Sequence, residues 1–239
     1  MGRWDAGRWN SDVPLPPDLA IGQLQRSIER TEEAISAINE ALAGKGFRPL
    51  LEIAQSNNFS AIVSNIFTDQ VSRNTVYSGG DEHRGPDLHS KKTKDSLEAK
   101  ATMNLGKGAE AHNGHGGWHV VGCYLPDSET GAVRFVHVMV AKLRPWDEQE
   151  LDWKRSGSTH HAKGTGHIET YHTTAVGTAR LRDGSVYRDS KVVDDGQIKR
   201  WGSARNKVAG TLPIPAFSPF YVSLRPTHSL DQVASSSDV

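Results

Sequence analysis

Asp87, Glu98 and Lys100 are the residues of this chain whose types and spacing bring chemistry to mind. Pro86-Asp87 is separated by a stretch of turn-forming residues from Leu97-Glu98-Ala99-Lys100-Ala101. The pattern predicts a β-hairpin with a strand over residues 96–102. Side chains alternate along a strand, so Glu98 and Lys100 share one face while Leu97, Ala99 and Ala101 point to the other. Asp87 would close the group from the neighbouring strand. Two carboxylates held close repel when both are ionised, and a hard divalent cation such as Mg²⁺ between them relieves the repulsion. A cation so held lowers the pKa of a bound water and neutralises charge growing on a phosphate, while a lysine orients or polarises the attacking water. That is phosphodiester hydrolysis without a covalent nucleophile. The plainer alternative makes Asp87 a turn residue and Glu98 and Lys100 a solvent-facing pair.

Pro86-Asp87 followed by Glu98-Ala99-Lys100 resembles the PD-(D/E)xK nuclease superfamily, which includes many type II restriction endonucleases; the resemblance covers about residues 50–142. It implies an α/β fold with a restriction-endonuclease-like core, a central mixed β-sheet flanked by helices, here with β-rich C-terminal additions. It carries Asp87, Glu98 and Lys100 over as catalytic residues and Mg²⁺ as cofactor. The cation would be held by Asp87, Glu98, the backbone carbonyl of Ala99 and, from the preceding helix, Glu52. The implied substrate is double-stranded DNA, cut sequence-specifically to 5′-phosphate and 3′-hydroxyl ends. A homodimer is expected if the site is palindromic. A repair or phage-type nuclease and a non-catalytic nucleic-acid-binding protein remain as alternatives. A second loose match, Pro126-Asp127 with Asp152-Trp153-Lys154, has its first half in a turn composition and its second in a charged stretch that reads as helical.

The elements that must position this group are legible from periodicity. Apolar residues at Ile21, Leu24, Ile28, Ile35, Ile38 and Leu42 predict a helix from Asp18 to the Gly44-Lys45-Gly46 stop signal. Phe59, Ile62, Val63, Ile66, Phe67 and Val71 form the stripe of a second helical stretch beginning after Pro49, which would cover the sheet. Trp118–Leu125 and Val133–Leu143 read as apolar strands joined by the turn around Asp127. The second is apolar on both faces, with Phe135, His137 and Met139 on one and Val136, Val138 and Val140 on the other, so it belongs at the sheet centre and His137 in the core. Asp147-Glu148-Gln149-Glu150 has the form of a capping box for a short helix through Trp153. Residues 168–187 read as strands, and Phe220–Leu224 as a final strand. The domain organisation expected is an N-terminal arm and helix over 1–46, a nuclease domain over 47–230 with recognition elements around 147–210, and a disordered tail over 231–239.

Lys and Arg number 28, as do Asp and Glu, so bulk charge does not announce a nucleic-acid partner. The distribution is uneven. Residues 154–207 hold eleven bases against five acids, whereas the first sixty residues hold six against eight, and a local basic face can track phosphates within a neutral protein. Candidate DNA contacts are Lys91, Lys92 and Lys94 at the hairpin tip, Asn113 and His115 in a glycine-rich loop, and Arg180, Arg182 and Arg188 beyond the core. Three histidines over residues 112–119 invite a zinc reading, but they lack cysteine partners and a strand or helix to fix their geometry. Cys123 is the one cysteine, which excludes an intrachain disulfide. No apolar run approaches membrane-spanning length, and a cytoplasmic protein is expected.

Overall fold

The protein is described from a computed structural model over residues 9–80, 86–105, 110–112, 116–146, 151–160 and 167–221, with backbone alone for 110–112, 157–160 and 167–169. Side chains four apart build its helical layer. α1 (Ile21–Ala43) buries Leu24, Ile28 and Ile35, with Ser27 and Thr31 inside the same stripe. The two hydroxyls donate to the carbonyls of Gln23 and Ser27, so neither donor is buried unmet. Ile38 and Leu42 are only half-buried, because Asn39 takes the inward position and accepts a hydrogen bond from the Leu50 N–H. The second helical stretch is two helices. α2 (Leu50–Ile53) stops where Ala54 and Gln55 become extended, and α3 (Ser56–Asn74) then buries Phe59, Val63, Phe67 and Val71.

These helices cover one face of a mixed sheet. Its strands are β1 (Tyr77–Gly79), β2 (Leu88–Ser90), β3 (Ser96–Thr102), β5 (Gly117–Pro126), β6 (Val133–Leu143) and β9 (Ser185–Arg188), in the order β1-β2-β3-β5-β6-β9. β3 and β5 run parallel; the other neighbours are antiparallel. Leu97, Ala99, Ala101, Val120, Val138 and Val140 meet α1 and α3 on one side. On the other, Val121, Cys123, Met139, Ala141 and Leu143 pack on Trp153, Tyr171 and Leu181. β6 is buried on both faces, but it lies next to the edge strand β9 and not at the sheet centre, which β3 and β5 occupy. Strict alternation fails once along it. Cys123 faces His137 while Tyr124 faces Phe135, so Val136 is an extra residue. This bulge turns Phe135 away from the face of His137 and Met139 and onto Phe67, with ring centroids 5.3 Å apart.

The region after β6 is as helical as it is β. β4 (Glu110–His112), β8 (His167–Thr173) and β7 (Trp153–His160) form a second, antiparallel sheet. Trp153 thus opens a strand instead of ending a helix, and residues 147–150 lie outside the described ones. The expected strand across 175–183 is α4 (Ala175–Asp183): the Thr174 hydroxyl caps it by accepting from the Val176 and Gly177 N–H groups. Gly177 lets α4 lie against the preceding segment, since a Cβ there would fall 2.2 Å from the Asp152 carbonyl oxygen. α5 (Asp195–Asn206), capped by Asp194, follows β9. Pro215–Tyr221 is a succession of turns, so the expected final strand does not begin at Phe220; residues 222–239, with the expected tail, lie outside the described ones.

The N-terminal segment is integrated into this body from Trp9 onward. Trp9 bridges to Tyr187 on the β9 edge, Asn10 donates to the Phe217 carbonyl, and Val13 is buried. Among the described residues no helix is long and apolar enough to cross a membrane.

Candidate active site

The site forms where two strands part. β2 pairs with β3 only through Leu88 with Leu97 and His89 with Ser96. Beyond that point side chains replace the missing strand. The Asp87 N–H donates to Glu98 Oε2 at 3.1 Å, and the Ala99 N–H donates to Asp87 Oδ2 at 3.3 Å. α3 supplies the rest of the edge: Thr68 Oγ1 donates to the Ala99 carbonyl at 2.8 Å, and the Ala101 N–H donates to Ser64 Oγ at 3.0 Å. Backbone groups left by the divergence are thereby paired, as buried N–H and C=O groups require.

Strand alternation then sets the chemistry. Leu97, Ala99 and Ala101 enter the core, while Glu98 and Lys100 project from the opposite face. Lys100 Nζ lies 2.9 Å from Glu98 Oε1, and 3.2 and 3.3 Å from the two oxygens of Asp87. Both carboxylates are largely sequestered, their side chains 7 % and 12 % exposed, against 33 % for Lys100. A solvent-facing Glu98–Lys100 pair is thus overturned for Glu98, and Lys100 is half-buried over the two carboxylates. Burial raises the pKa of Asp87, the Glu98 charge raises it further, and Lys100 opposes both. Burial alone would lower the pKa of Lys100, but Glu98 and Asp87 together outweigh it and the ammonium is favoured.

Two buried carboxylates sharing one lysine are oxygen donors suited to a hard cation. Among the described residues no group of three or more His, Cys, Asp or Glu is placed to hold a metal. Two carboxylates would leave a cation such as Mg²⁺ to fill its remaining positions with a backbone carbonyl, water and substrate oxygen.

The other candidate residues have distinct positions. Glu52 lies on α2, half-exposed, 3.7 Å from Arg48 Nη1. Lys91, Lys92 and Lys94 are exposed in the turn after β2, with Lys92 Nζ 3.5 Å from Asp18 and Lys94 at φ 61°. Asn113 and His115 lie outside the described residues. Arg180 is paired with buried Asp152 at 3.2 Å, Arg182 lies 5.0 Å over the Trp201 ring, and Arg188 is 3.3 Å from Asp195. The rival motif halves are engaged separately: Asp127 accepts from Glu129 and Thr130 within its turn, and Asp152 is held by Arg144 and Arg180. His137 is the expected core histidine, buried and with Nε2 2.8 Å from Ser185 Oγ. Burial, then the charges of Arg182 and Arg188, push its pKa down to about 3.

Residues not anticipated are Ser64 and Thr68. Their spacing of four places both on one row of α3, beside the apolar stripe, which is the signal that could have found them. His119, one of the three histidines over residues 112–119, is fixed by a strand after all: it lies in β5, is buried, sits in register with Glu98 on the adjacent strand, and has its Nδ1 3.1 Å from the Gly117 carbonyl oxygen. No protein-family model, curated protein or solved structure matches the chain.

Proposed function

We propose that this chain is a Mg²⁺-dependent DNA endonuclease of the PD-(D/E)xK type, with a restriction-endonuclease-like core and the sequence-specific cleavage of a type II enzyme. The observation that carries the reading is the Lys100 ammonium between the buried carboxylates of Asp87 and Glu98 at the point where β2 and β3 part. The parallel β3–β5 pair beside that hairpin, within a helix-flanked mixed sheet, supports the same reading.

Asp87, Glu98 and the Ala99 carbonyl would hold the cation, which supplies a polarised water and charge neutralisation at the phosphate. The protein's own part is positional. Glu98 is fixed by the Asp87 N–H and Asp87 by the Ala99 N–H, so neither carboxylate has to reorganise. Lys100 remains protonated and offers its N–H groups to the water or to a phosphate oxygen. Of the hairpin-tip lysines, Lys91 stands four residues from Asp87, at most about 14 Å along the chain at about 3.4 Å per residue, and Lys92 and Lys94 follow it in the turn. That is close enough to hold backbone phosphates flanking the cut. Double-stranded DNA as substrate, a homodimer on a palindromic site and a cytoplasmic setting belong to this proposal.

The test is incubation of the protein with unmethylated phage DNA, with Mg²⁺ or with EDTA, beside the Glu98→Ala variant. Discrete Mg²⁺-dependent fragments that the variant cannot produce, while it still binds DNA, are expected. Smears or nicks on plain plasmid would replace sequence-specific cleavage by the activity of a structure-selective nuclease. Full cleavage by Glu98→Ala would remove the active-site assignment altogether.

A further inference from the structure

We propose that Thr68 and Ser64 of α3 are positioning residues for the cation site, and that the Thr68 hydroxyl sets the orientation of the Ala99 carbonyl as a cation ligand. The inference rests on the reading of Asp87 and Glu98 as a cation site and identifies what holds that site in shape. Among the described residues, the edge of β3 that faces away from β5 has no strand partner past Leu97. An unpaired edge would be free to twist or slide, and with it the peptide linking Glu98 to Lys100. Three side chains occupy the place of the absent strand. Asp87 takes the Ala99 N–H, Thr68 donates to the Ala99 carbonyl, and Ser64 takes the Ala101 N–H.

The peptide groups of Ala99 are thus held on one side by a proposed ligand and on the other by α3. A carbonyl oxygen has two lone pairs, so the Ala99 oxygen can accept from Thr68 and still face a cation. Thr68 and Ser64 are half-buried on a helix whose neighbouring row, Phe59, Val63, Phe67 and Val71, is locked in the core. The hydroxyls consequently inherit the rigidity of the core. Partners that orient a ligand without touching the metal commonly carry tenfold to hundredfold in metal affinity.

The experiment is a titration of the full chain with Mn²⁺, following free ion by electron paramagnetic resonance, with Mg²⁺ as competitor. Wild type is compared with Thr68→Val, which keeps the shape and removes the hydroxyl, with Thr68→Ser, which restores it, with Ser64→Ala, and with Glu98→Ala. Thermal unfolding is recorded for each. A loss of about tenfold in Mn²⁺ affinity is expected for Thr68→Val, with recovery in Thr68→Ser and a melting temperature that does not track the loss. Wild-type affinity in Thr68→Val, with binding abolished in Glu98→Ala, overturns this inference and leaves the cation site standing. A wild type that binds no Mn²⁺ overturns both.

Discussion

Replacing His137 by glutamine isolates the titration of one buried group. His137 is fully enclosed, stacks on Trp201 at 5.3 Å, and has its Nε2 within 2.8 Å of Ser185 Oγ. Its pKa falls from 6.5 to about 3, first through burial and then through the charges of Arg182 and Arg188. The unfolded chain carries an ordinary histidine. Between pH 6.5 and 3 the unfolded state therefore binds a proton that the folded state refuses, so stability is complete above pH 6.5 and declines as pH falls. The slope is about 1.4 kcal/mol per pH unit. Across the 3.5 units separating the two values, the ceiling is about 5 kcal/mol. Glutamine keeps an amide near Ser185 and cannot titrate. Urea unfolding from pH 8 to 5 would show His137→Gln less stable at pH 8, through lost stacking, but with a shallower decline. At pH 5 the gap between the two proteins should have narrowed by about 2 kcal/mol. Parallel stability curves for the two proteins would mean that His137 is not held neutral by its surroundings.

Lys100→Met should remove the ammonium shared by Asp87 and Glu98, abolish cleavage, and lower the melting temperature by an amount that shrinks as pH falls and Asp87, whose pKa is already raised, takes up a proton; a shift independent of pH would argue against the shared-lysine geometry. Arg205, buried, forms a forked pair with Asp183 that Ser218 also joins. Arg205→Met alone should destabilise by roughly 3–5 kcal/mol in urea unfolding, and much less when combined with Asp183→Leu, because the single change leaves a buried charge unpaired. A double variant as unstable as the sum of the single ones would assign the loss to packing.

The hairpin and its face were legible because period-two alternation from Leu97 to Ala101 leaves one arrangement for Glu98 and Lys100. The stripe of α3 was legible for the same kind of reason, with apolar residues at helical spacing. Where three-dimensional contact decided the outcome, periodicity was silent. The bulge at Val136 reverses Phe135, whose ring then lies against Gly122 of the paired strand, where a Cβ would fall 2.4 Å from it; strand periodicity does not register such a space. The segment 175–183 holds residues that suit either state, and its helix follows from the Thr174 cap and from the close seat that Gly177 allows against Asp152. Charge patterning suggested Arg180, Arg182 and Arg188 as candidate DNA contacts, and it was silent on their neighbours within the fold, which are Asp152, Trp201 and Asp195.

The divergence of β2 from β3 unites these features. A continuous ladder would pair the Ala99 and Ala101 edge with backbone and leave no room for a carboxylate there. By ending at Leu88, β2 lets Asp87 meet β3 through its side chain, which makes one carboxylate both a structural acceptor and a candidate ligand. The pKa of Asp87 is raised first by its own burial and then by the Glu98 charge, against Lys100 and the Ala99 N–H, and the same two carboxylates keep Lys100 charged. Asp87→Asn should then separate the two roles. The amide oxygen can still accept from the Ala99 N–H, so the fold and its melting temperature at pH 5 should stay near wild type, while Mg²⁺-dependent cleavage is lost. A variant that unfolds would show that the Asp87 charge is needed to hold β3 itself, and the edge, more than the cation, would then explain why a carboxylate occupies this position.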